Sequence, residues 1–103
     1  MQYMVFFEVN QPTDMSQAEL YQIWDEEADA ALGAKEAGVV KGLWKAAGQR
    51  TVYALLDVPD PETLDAALEG LPIVQQMGGA VDIESVPVYD YEQWAAHVKK
   101  TLG

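Results

Sequence analysis

Apolar residues in this chain repeat with a fixed succession of periods, and that succession limits the fold more than any single motif does. From Gln2 to Val9 they alternate, Tyr3, Val5, Phe7 and Val9 against Met4, Phe6 and Glu8, as on a central strand. From Met15 to Gly38 the period lengthens to that of a helix. Leu20, Ile23, Trp24, Ala31 and Ala34 form one stripe there, capped by Asp14 or Ser16 and ended by Gly38. Two strands follow, Val39 to Ala47 and Arg50 to Val58, joined at Gly48-Gln49 as a hairpin. Asp57-Val58-Pro59-Asp60-Pro61-Glu62 stops the strand and starts a second helix, with Asp60 as N-cap and Pro61 in the first turn. Leu64, Ala67, Leu68 and Leu71 share its face, and Pro72 is expected to close it, leaving Gln75 to Gly79 as a loop or extra turn. Ala80 to Tyr89 alternates again, and Tyr91 to Leu102 reads as a short final helix with Trp94, His97 and Val98 on one side.

The order is βαββαβ. It predicts an α+β fold, the ferredoxin-like split βαβ: a four-stranded antiparallel sheet with both long helices on one face. No repeat, linker or low-complexity segment interrupts the chain, so residues 1–103 form a single domain. The sheet's other face is left carrying large apolar side chains. This predicts a homodimer in which two sheets pack face to face as a dimeric α+β barrel, with the C-terminal segment reaching across.

Composition narrows the function classes. Seventeen acidic residues against six basic ones give a net charge of −11, which repels a phosphate backbone and argues against nucleic acid as a partner. A small anion needs a local cation. No cysteine is present, so disulfides and thiolate chemistry are excluded. The chain has no apolar run long enough to span a bilayer and opens directly into strand-like sequence, which predicts no membrane association and a cytoplasmic location.

Against this background Glu27 stands out. With about 100° between successive helical residues it falls inside the apolar stripe, whereas Asp25, Glu26, Asp29 and Glu36 lie on the opposite side or flank. Removing a carboxylate from water disfavours its charged form, so Glu27 is expected to have a raised pKa and to suit the work of a general base. Periodicity equally allows a wet edge at this turn of the helix.

Arg50, the only arginine, opens the third strand on the face of Val52, Ala54 and Leu56. If that face lies under the first helix, Arg50 and Glu27 line opposite walls of one space. The guanidinium would then grip a substrate carboxylate or steady a developing enolate. An exposed strand-end charge, or an ion pair with Glu27, fits the spacing as well. Trp24, one turn from Glu27, is the candidate pocket wall. His97, the only histidine, lies on the terminal helix, where packing or surface exposure is the simpler role. The acidic residues lack a histidine at ligand spacing, so no metal site is expected, and no glycine-rich phosphate-binding fingerprint is present.

The segments Val9-Asn10-Gln11-Pro12-Thr13-Asp14-Met15, Gly42-Leu43-Trp44-Lys45-Ala46-Ala47-Gly48, Tyr53-Ala54-Leu55-Leu56-Asp57-Val58-Pro59 and Leu68-Glu69-Gly70-Leu71-Pro72 resemble the muconolactone isomerase family, in matching order and spacing as far as Met77. The resemblance implies a ferredoxin-like subunit, a dimer and often a decamer. It also implies a cofactor-free isomerase of aromatic catabolism that moves a double bond within an unsaturated lactone bearing a carboxymethyl group. The family's catalytic glutamate falls on Glu27. Family members carry His, Tyr and Asn where this chain has Gln49, Arg50 and Val52, and the Tyr and Asn belong to the pocket. Retention of the base with changed pocket groups is the pattern of a related reaction on a different molecule.

The sequence therefore predicts a cofactor-independent isomerase in which Glu27 carries a proton, Arg50 acts on the charge, and Trp24 and Val52 contact a small-molecule substrate. Other readings are a cofactor-free oxygenase, dehydratase, cyclase or dehalogenase of the same barrel type acting on a more apolar substrate, or a non-catalytic ligand-binding module.

Overall fold

A computed structural model describes all of residues 1–103. Strand β1 (Gln2–Val9) leads into α1 (Gln17–Glu36), then β2 (Val40–Lys45) and β3 (Thr51–Asp57). Helix α2 (Pro61–Glu69), a short α3 (Pro72–Met77) and a 3-10 turn (Gly78–Ala80) precede β4 (Val81–Val88) and α4 (Tyr91–Leu102). The four strands form one sheet in the order β2-β3-β1-β4, with every neighbouring pair antiparallel. This is the α+β arrangement that the succession of periods predicts.

The strand alternation sets the layers. Tyr3, Val5 and Val9 of β1 and Ala54 and Leu56 of β3 are buried on the inner face, where Leu20 of α1, Leu64 of α2 and Ile73 of α3 meet them. The outer face pairs Phe6 with Tyr53, rings edge to face at 5.4 Å and 81°, and Met4 with Leu55 and Val86. It is covered by no helix of the same chain, and Val86 is half exposed.

Local signals explain the element ends. Ser16, rather than Asp14, caps α1: its hydroxyl accepts from the Glu19 amide while the Glu19 carboxylate accepts from the Ser16 amide, each at 3.1 Å. Asp60 caps α2 by accepting from the Thr63 amide at 2.7 Å.

The structure corrects two expectations. Pro72 does not close α2, which ends at Gly70; Pro72 opens α3. A proline lacks the N–H that a first helical turn leaves unused, so it suits a start better than a stop. The third strand begins at Thr51, one residue beyond Arg50. The turn joining β2 to β3 is longer than a two-residue hairpin, because Ala46 closes it by donating its amide to the Thr51 carbonyl at 2.9 Å and Gly48 adopts a positive φ of 75°.

Helix α4 continues from β4 with no buried residue, and the molecule measures 60 × 26 × 22 Å. No helix is long and apolar enough to cross a membrane.

Candidate active site

Between α1 and the inner face of the sheet, with α2 closing one side, lies a cavity of about 500 Å³. Its walls include Phe7, Val52 and Ala54 from the sheet, Trp24 and Ala31 from α1, and Leu68 from α2. Small residues on α1 leave the room: Ala28, Ala31 and Ala34 face a sheet that larger side chains would otherwise touch. Of the 20 residues lining the cavity 18 are hydrophobic, and the other two are Glu27 and Lys45.

Glu27 is half-buried, on the turn of α1 that passes the start of α3. The first turn of α3 has amides without helical partners, and Leu71 at its N-cap offers no side-chain acceptor. Glu27 fills that gap from another element: the Ile73 amide donates to its Oε1 at 3.0 Å. Burial pushes the Glu27 carboxyl above the ordinary range, and the Ile73 hydrogen bond opposes that shift without cancelling it. With Oε1 so engaged, Oε2 is the atom left to take a proton.

Arg50 is not in this cavity. It lines a neighbouring, more polar groove of about 830 Å³, together with Glu8, Tyr21, Asp25, Lys45 and Gln49. Its Nη2 donates to Gln17 Oε1 at 3.2 Å, on the exposed start of α1. The expected opposition of Arg50 and Glu27 across one space therefore fails. Arg50 belongs to the turn before β3, and from there a long cationic side chain remains in water.

Trp24 and Val52 both line the cavity with Glu27, and Trp24, half-buried, also walls the groove. His97 is exposed beside the Trp94 ring, 5.5 Å between centroids, and lines neither space. Asp25, Glu26 and Asp29 are exposed, with Glu26 accepting a hydrogen bond from the Gln76 amide group.

Sequence reasoning missed Lys45 and the Ile73 amide. The signal for Lys45 was available: the β2–β3 register sets it opposite Val52, on the helix-covered face, at the open end of the sheet. The signal for Ile73 was Pro72, read as a helix stop.

Known proteins resemble this chain in sequence and in fold. The sequence model of the muconolactone delta-isomerase family matches residues 1–93. The muconolactone Delta-isomerase of Pseudomonas aeruginosa is 31% identical over 74 residues, which span 72% of this chain and 77% of that protein. A crystal structure of muconolactone isomerase superposes with a TM-score of 0.73 at 30% identity, covering 87% of this chain and 90% of the other. From its fold and these matches, the chain belongs to the muconolactone delta-isomerase family.

Proposed function

We propose that this protein is a cofactor-independent isomerase that shifts a carbon–carbon double bond in an unsaturated lactone or a related intermediate of aromatic breakdown. The observation that carries the reading is that Glu27 is the sole carboxylate in a cavity whose lining is apolar but for itself and Lys45, with its pKa displaced upward by burial.

Glu27 removes the proton from the carbon adjacent to the conjugated system, the γ carbon of an unsaturated lactone. The electron pair enters the conjugated system and leaves a dienolate whose charge spreads to the carbonyl oxygen. The Glu27 carboxylic acid then returns the proton to the α carbon. One C–H bond breaks and one forms, so mass is conserved. A raised pKa serves both halves, since a base near the working pH accepts a proton and gives it back at comparable rates. The apolar walls exclude water that would otherwise compete for the carbanion.

The test is NMR in deuterated buffer with muconolactone and a panel of unsaturated lactones and enones. The wild-type protein is expected to isomerise a substrate with no change of mass beyond solvent deuterium. Glu27→Gln keeps an oxygen for the Ile73 amide but cannot carry the proton, and is expected to lose about 10²–10⁴-fold in rate. Retained turnover in Glu27→Gln would remove Glu27 from the mechanism. A product changed by oxygen, water or halide would replace the reaction class.

A further inference from the structure

Lys45 is the unexpected charge in the cavity. It is the last residue of β2, paired across the ladder with Val52. It borders both the apolar cavity and the polar groove, and so marks the passage from one to the other. Its Nζ donates to the Ala46 carbonyl at 2.9 Å, which uses one of three protons. No carboxylate pairs with it, since the one salt bridge in the chain joins the amino terminus to Asp57. In a protein of net charge −11 an exposed ammonium with no carboxylate partner, set beside an apolar cavity, is a local positive site that an anion can reach.

We infer that Lys45 is the specificity residue that holds the anionic end of the substrate, while Glu27 works on its apolar, unsaturated body. The assignment rests on the isomerase reading for the reaction, but the binding preference it entails stands by itself. Glu27 repels any anion entering the cavity when ionised, and the overall field of the protein does the same. A substrate carboxylate is therefore tolerated only beside a cation. Lys45 offers a compact point charge with two free donors, solvated at the cavity edge, so the carboxylate need not give up all of its water. This arrangement orients the substrate with the acid at the groove side and the carbon skeleton against Trp24, Phe7 and Val52. Arg50, held by Gln17 in the groove, is left to contribute only to the field that the anion meets on approach.

The experiment compares an apolar unsaturated acid with its neutral isostere, cinnamate with cinnamamide, by NMR titration of the wild type, Lys45→Met, Lys45→Arg, Arg50→Met and Glu27→Gln. The wild type is expected to prefer the acid. Lys45→Met is expected to weaken cinnamate roughly tenfold and to leave cinnamamide within about twofold, in keeping with a charge-assisted contact at a partly solvated site. Lys45→Arg restores the preference, and Arg50→Met has a small effect on both ligands. Glu27→Gln keeps or strengthens cinnamate binding even where turnover is lost, which separates failure of the base from failure of the anchor. Equal affinity for acid and amide in the wild type, binding of neither, or equal losses of both in Lys45→Met would overturn the assignment.

Discussion

Leu20→Ala is expected to be the most damaging single truncation near the site. Leu20 is fully buried, in a small cluster with Val9, Ile73 and Val81 that lies apart from the larger core around Val5 and Leu56. Removing three carbons forfeits about 2.4 kcal/mol at about 0.8 kcal/mol per buried methylene. The void adds about 24 cal/mol per Å³, or roughly 1–2 kcal/mol for a space of about 60 Å³ that a four-residue cluster between a helix and a sheet edge fills poorly. The sum is about 3–4 kcal/mol, against roughly 5–15 kcal/mol for a domain of this size. At about 4–8 °C per kcal/mol, Tm falls by roughly 12–32 °C. Urea unfolding followed by tryptophan fluorescence at fixed protein concentration reads the change as a lower midpoint at unchanged slope. The same truncation at Leu102, 84% exposed, is the control and should stay within about 0.5 kcal/mol. A loss below about 1 kcal/mol for Leu20→Ala would refute the reasoning, because the cluster would then not enclose the side chain as described.

Two further predictions concern charge and capping. Because the folded state raises the Glu27 pKa, the folded protein binds more protons there than the unfolded chain between the two values, so this group's contribution makes stability fall as pH rises through that window. Glu27→Gln should abolish that slope while leaving the opposite one from Glu19 and Asp60, whose pKa values their hydrogen bonds lower; chemical denaturation across pH checks it, and parallel curves for the two proteins would contradict it. Ser16→Ala removes the acceptor of the Glu19 amide and should cost about 1 kcal/mol in thermal unfolding, whereas an unchanged Tm would mean the capping box contributes nothing.

The sheet and α1 were legible in the sequence because each relies on a long run of one period, and β1 from Gln2 to Val9 needs nothing beyond alternation. Glu27 was legible for the same reason, as a break in the stripe of α1. What escaped was local: whether Arg50 begins a strand or ends a turn depends on the hydrogen bond from Ala46 to Thr51. The Arg50 carbonyl still accepts from the Val9 amide at 2.9 Å, but its side chain leaves the sheet and reaches Gln17 in the groove. Pro72 was ambiguous because proline both prevents a helix from continuing and favours its first turn, and the acceptor for the α3 amide, Glu27, is 46 residues from Ile73 along the chain. Lys45 was visible from alternation and lies in the Gly42 to Gly48 segment that carries the family resemblance, but an unpaired cation becomes conspicuous only when the other walls are known to be apolar.

The hydrogen bond from Ile73 to Glu27 joins the two βαβ halves of the chain, with the carboxylate in the first and the amide in the second. The contact sets a limit on how far burial can carry the carboxyl from its ordinary behaviour: burial alone pushes the pKa up, and an amide from the far half of the chain pulls part of the way back. Loosening α3 from α1 would remove that restraint, so the proton affinity of a group in the first half is adjusted by how firmly the second half is seated.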